Sequence, residues 1–226
     1  MRKVNKKITG QDRIMKTLIV ILCYFLYSRI FSELFGYNIL TNFIADAIYL
    51  IGIILAYKEN LREDYYDLRE NYTVGKIIKK VLFWFMIIFI FNILMGALTD
   101  ALIKNASLDD NTKALENLFK VSPGYALFKT MIFAVVAEEL LFRESVHDVI
   151  KNKWLFIFAS ALIYTLVNFA YTGFNDEILI ISMLSYFLPA LIFSYAYYKN
   201  NSNIIIIMLI KFVCNLLPTV IFFLGL

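Results

Sequence analysis

Glu138, Glu139 and Arg143 stand inside one apolar run, Phe133 to His147, which reads FAVVAEELLFRESVH. An ionised carboxylate in hydrocarbon is costly, so such residues face a bundle interior and are either paired or functional. On an α-helix each residue turns about 100°. Glu138 and Glu139 therefore point in different directions and are not expected to share one partner. Glu139 and Arg143 are four apart on one face, with the acid N-terminal, which is the better order for an ion pair. The spacing reads as a structural pair, Glu139–Arg143, holding a working carboxylate, Glu138, which another helix must serve. The plainer alternative is a salt bridge beside a second acid that is protonated or lined by water.

The rest of the chain says what positions these groups. Its 226 residues are 61% hydrophobic, with a mean hydropathy of +0.69. Soluble domains run nearer ~45–50% apolar. Aromatics reach 17%, with 21 Phe and 15 Tyr, against only 3 Pro and 8 Gly. The expected fold is all-α, a polytopic transmembrane helix bundle of about seven spans. No polar stretch is long enough to build a soluble core. The net charge of +4 reads as membrane topology, because the basic residues flank apolar segments and form no stripe for nucleic acid. Cys23 and Cys214 both lie in apolar segments, so neither a disulfide nor a metal knuckle is expected. The start of the chain is basic and then apolar, as in a signal peptide. It lacks a small-x-small cleavage site, so a retained first span is expected.

A spanning helix needs roughly 20 mostly apolar residues. The candidates are 16–34, 39–57 with Asp46, 81–103, 125–147 with the two acids, 154–171, 178–198 with Pro189, and 204–223 with Lys211, Asn215 and Pro218. Lys and Arg crowd the N-terminal tail and the 58–80 loop, while the TGFNDE loop and the C-terminal tail carry none. By the positive-inside rule this places the N-terminus in the cytoplasm of a plasma-membrane protein, with an outer C-terminus. The 58–80 loop mixes both signs and reads as an amphipathic interfacial segment. The stretch from Ser107 is expected to hold a short helix ending before Pro123.

The run EELLFR, Glu138 to Arg143, resembles the EExxxR motif of the CAAX-protease and bacteriocin-processing (Abi) family of intramembrane endopeptidases. That family carries an aromatic-xxx-His motif on the next helix and a His-xxx-Asn or His-xxx-Asp motif on a later one. Here Tyr164-Thr-Leu-Val-Asn168 and Lys211-Phe-Val-Cys-Asn215 stand at those places. The resemblance covers roughly Phe119 to Pro218. It divides the chain into N-terminal spans and loops, 1–118, and a CAAX-protease-like membrane core, 119–226. By this resemblance Glu138 activates water, Glu139 and Arg143 hold the helices, and Asn215 serves an oxyanion. Asn168 and Lys211 stand where the family has its two histidines.

Those two exchanges change the chemistry. A carboxamide has no basic lone pair near neutral pH, so Asn168 can orient a water but cannot take its proton. Glu138 is then the sole base, with a pKa that burial raises. Lys211 can stabilise an oxyanion, or it can neutralise Glu138 outright. Asn168 reads equally well as an interhelical hydrogen bond. His147 lies nine residues from Glu138 on the opposite face, near the cytoplasmic end of its helix. Zinc wants clustered His and Cys ligands; none is expected here, nor is any other cofactor. Two functions stay open: an intramembrane endopeptidase using a Glu-activated water, and a non-catalytic scaffold, chaperone or bacteriocin-immunity protein on the same fold. A transporter is a third, since Asp46, Lys129 and the Pro-interrupted spans would suit one, though no internal repeat supports it. Expected partners are membrane lipid and a membrane peptide or protein.

Overall fold

The computed structural model describes residues 10–102, 110–170 and 179–225. Among the described residues every regular element is a helix. They are α1 (Gly10–Phe35), α2 (Ile39–Ala56), α3 (Lys58–Asn71), α4 (Val74–Leu102), α5 (Asp110–Val121) and α6 (Pro123–Leu127). From α6 the backbone stays helical through two π-helical stretches, Phe128–Glu138 and Leu140–Glu144, into α7 (Ser145–Val149). Together, 123–149 form the motif helix. The chain ends in α8 (Lys153–Ala170), α9 (Leu179–Lys199) and α10 (Ile204–Leu224).

Each expected span falls on a helix: α1, α2, α4, the motif helix, α8, α9 and α10. Four of these are long and apolar enough by themselves to cross a membrane, namely Gly10–Phe35, Ile39–Ala56, Val74–Leu98 and Ile204–Leu224. α8 adds a shorter apolar helix, Lys153–Asn168. The motif helix is divided between α and π segments, each shorter than a span. α5 is the expected short helix before Pro123. Ser107 and the TGFNDE loop lie outside the described residues.

The motif helix packs against α1, α2, α8 and α10, while α4 lies on α9 and α10 and α8 runs along α9. Rings fill the space around it: Tyr27 stacks on Tyr49 at 4.9 Å, and Phe142 meets Tyr164 edge-on at 5.1 Å. Leu, Ile and Phe side chains of α1, α2 and α4 stay exposed on the outside, as a hydrocarbon solvent allows.

Polar groups inside the bundle are collected into pairs. Asp46 of α2 is 2% exposed. It accepts from the Tyr27 hydroxyl of α1 at 2.6 Å, from the Tyr125 hydroxyl of α6 at 2.7 Å and from Lys129 Nζ at 3.1 Å. Asp46 and Lys129 therefore serve each other, and they tie α1 and α2 to the start of the motif helix. At its other end Lys16 Nζ of α1 meets Asp148 at 2.9 Å, and the Thr17 hydroxyl donates to the Ser145 carbonyl at 3.1 Å.

α3 lies at the foot of α10. The Ile204 N–H donates to Asp64 Oδ2 at 2.7 Å, and Asn203 Nδ2 donates to the Asp64 carbonyl at 2.9 Å. A carboxylate at a helix N-terminus satisfies an orphan donor and complements the helix dipole. Of the expected 58–80 loop, residues 58–71 are thus a helix clamped to the last span through buried Asp64 and Leu68, and residues 74–80 begin α4.

Replacing Asp46 by Ala leaves the Tyr27 and Tyr125 hydroxyls without their acceptor. The expected loss of stability is about 1–3 kcal/mol, read as a shift in the denaturation midpoint of the detergent-solubilised protein. An unshifted midpoint would mean that the hub contributes nothing.

Candidate functional site

The charged residues meet midway along the motif helix. Glu139 and Arg143 are both fully buried, with Arg143 Nε 3.3 Å from Glu139 Oε2. This is the expected pair. The contact is ionic and not a hydrogen bond, for the guanidinium nitrogens and both Glu139 oxygens make no hydrogen bond among the described residues. Aromatic faces hold the guanidinium instead. Its carbon lies 4.9 Å from the Tyr164 ring centre and 5.6 Å from that of Phe193, within cation–π range. One turn away, Ser160 of α8 donates to the Phe142 carbonyl at 2.7 Å and shares a 2.8 Å hydrogen bond with Ser194 of α9. These bonds fix α8 and α9 against the motif helix where Arg143 enters.

Lys211 of α10 reaches the same place. Its Nζ lies 3.5 Å from Glu138 Oε2 and 3.6 Å from Glu139 Oε1. This corrects the expectation that adjacent acids cannot share a partner. That expectation assumed α-helical winding. The i→i+5 hydrogen bonds of a π-helix widen the helix, so successive side chains diverge less, and a compact ammonium with three donors can serve both carboxylates. Four charges of opposite sign, Glu138, Glu139, Arg143 and Lys211, therefore form one neutral cluster. Glu139 and Arg143 are sealed, while the Glu138 side chain keeps 19% of its exposure.

The other two candidates are placed less directly. Asn215, one turn beyond Lys211, donates to the Thr130 carbonyl at 2.7 Å and ties α10 to the motif helix. Asn168 donates to the Tyr164 carbonyl of its own helix at 2.8 Å. None of the described hydrogen bonds joins Asn168 or Asn215 to Glu138 or Lys211. The first residue of the second motif enters the cluster instead: the Tyr164 hydroxyl lies 3.4 Å from Lys211 Nζ. Tyr164 touches both cations, one with its hydroxyl and both with its ring. Its position at the head of YTLVN was the signal that could have flagged it.

Glu144 is a second residue that sequence reasoning passed over. It is fully buried, accepts from Asn60 Nδ2 of α3, and accepts from the Tyr197 hydroxyl of α9 at 2.8 Å. Its acid type within an expected span was the available sign. His147 lies beside it, at hydrogen-bond distance from Tyr197 and Ser202, with its ring edge-on to Phe156. That is a helix-end environment away from the Glu138 cluster.

A helical membrane bundle with a sealed acid–arginine pair at its centre defines the class. Residues 120–217 match the family model described as type II CAAX prenyl endopeptidase Rce1-like. This segment, somewhat under half of the chain, contains the motif helix, Tyr164 and Lys211. Over it the chain is similar to the Rce1-like proteins, and the resemblance to the CAAX-protease family carried by EELLFR stands. Neither a curated protein nor a solved structure matches the chain.

Arg143→Ala would leave Glu138 and Glu139 with Lys211 as their one shared cation and upset the cluster's charge balance. Breaking a buried pair costs ~3–5 kcal/mol, so this variant is expected to melt well below the unaltered protein in detergent. Equal melting would show that the pair is not structural.

Proposed function

We propose that this protein is a non-cleaving relative of the CAAX endopeptidases, one that uses the family's membrane core to hold a membrane-embedded peptide partner. The observation that carries this is Lys211. An intramembrane hydrolase of this kind needs a carboxylate free to take a proton from water. Here the candidate base faces an ammonium 3.5 Å away that also contacts Glu139. The ammonium engages the Glu138 carboxylate as an ion-pair partner and so competes with a water for it. No described side chain replaces the missing imidazoles, since Asn168 bonds to its own helix and His147 belongs to another cluster.

A second reading is favoured by the residual exposure of Glu138 and by the Tyr164–Lys211 contact. In it, Glu138 activates a water while the Tyr164 hydroxyl and Lys211 donate to the developing oxyanion. The Tyr164 hydroxyl would then do part of what a histidine does elsewhere in the family.

One experiment separates the two. The purified protein is reconstituted in liposomes with a panel of transmembrane and lipid-modified peptides, and cleavage is scored by mass spectrometry. The expected result is no cleavage above that given by Glu138→Gln. Cleavage by the unaltered protein that Glu138→Gln abolishes would overturn the scaffold reading and establish the second.

A further inference from the structure

On the side of α4 away from the motif helix, a groove of about 450 Å³ runs between α4 and α9, with Phe83, Trp84 and Ile87 on one wall and Ile192 and Tyr195 on the other. A second groove follows α4 past the same Phe83 and Ile87, from Gly75 and Lys79 to Ile90. Both are almost wholly apolar along their length, and lysines stand at one end of each. Lys199 closes the first and Lys79 the second. That these ends are at one level of the bundle is fixed by Lys80, whose Nζ donates to Asn200 Oδ1 at 2.8 Å.

The cationic end is denser than the grooves alone suggest. Lys153 Nζ lies 4.4 Å from the Trp154 ring centre, 5.3 Å from that of Tyr198 and 5.5 Å from that of Tyr195. Lys199 Nζ lies 5.7 Å from the same Tyr195 ring. Two ammonium groups thus converge on one tyrosine at the mouth of the groove. Among the described residues, neither Lys153, Lys199 nor Lys79 has a carboxylate within ion-pair distance. Trp and Tyr gather at the headgroup level of a bilayer, and Trp154, Tyr195 and Tyr198 mark that level here.

We infer that the α4–α9 groove is a binding site for one anionic phospholipid, with an acyl chain along Phe83, Ile87 and Ile192 and the headgroup phosphate between Lys153 and Lys199. Charge complementarity selects the occupant. A zwitterionic lipid fills the apolar groove equally well but brings its own cation to two converging ammonium groups, whereas an anionic headgroup brings none and offsets part of their charge. Basic pockets between membrane helices recognise anionic headgroups by this arrangement. The site lies on lipid-facing helices and does not depend on whether the Glu138 cluster is catalytic.

The test is native mass spectrometry and thermal melting of the detergent-purified full chain, titrated with phosphatidylglycerol or phosphatidylcholine of identical acyl chains. Phosphatidylglycerol should be retained as a single adduct and raise the melting temperature; phosphatidylcholine should do neither at equal concentration. Lys153→Gln with Lys199→Gln should weaken phosphatidylglycerol retention by roughly tenfold or more and leave melting without lipid unchanged. Ile192→Trp, which fills the groove, should weaken it with the lysines intact. The exposed pair Lys58 and Arg69 on α3, both changed to Gln, should leave it unaltered. Equal retention of the two lipids would overturn the site, and so would retention that survives the Lys153/Lys199 exchange or falls equally with the α3 exchange.

Discussion

Charge neutrality in hydrocarbon is the constraint on which this fold depends. Two glutamates, an arginine and a lysine meet inside a membrane bundle, and no one of them is tolerable without the others. The motif helix supplies three of them and α10 the fourth. The motif helix must therefore sit where α10 can reach it, and α8 must bring Tyr164 over the cations. The outer helices complete the enclosure. Asp46 and Lys129 repeat the same solution on a smaller scale, with two tyrosine hydroxyls in place of the second ion pair.

The same cluster lies within the segment, 120–217, that is similar to the Rce1-like endopeptidases. Glu139 and Arg143 are sealed and do what a scaffold requires. Lys211 joins Glu138 to Tyr164, and Glu138 is the more exposed of the two acids. The Lys211 ammonium, 3.5 Å from Glu138, makes that carboxylate one side of an ion pair.

Much of this was legible in the sequence. Hydropathy located the helices, because twenty-residue apolar runs have few other meanings. The i, i+4 spacing of Glu139 and Arg143 located the pair, and the placement of KFVCN on the last helix brought Lys211 to Glu138. What could not be read was the winding of the motif helix. Residues 128–144 have ordinary helix formers, and nothing local in VVAEELLFR announces i→i+5 bonding; packing against several helices at once decides it. The sharing of Lys211 by both acids followed from that winding and was missed with it. Asn168 was read from its motif position, but a carboxamide on a membrane helix can bond to the carbonyl one turn back, and here it does. Tyr164 was legible as part of a motif and overlooked because an aromatic on an apolar helix is ordinarily packing.

The clamp of α3 on α10 has a mechanical consequence. A greasy helix has little to stop it sliding along its axis against lipid and apolar neighbours. Asp64 holds the first turn of α10 at Ile204, and Lys211 is two turns further along the same rod. A slip of one residue moves a helix about 1.5 Å along its axis and turns it by about 100°, enough to carry an ammonium off both of its carboxylates. The vertical position of the central cation is therefore tied to a charged helix outside the apolar spans.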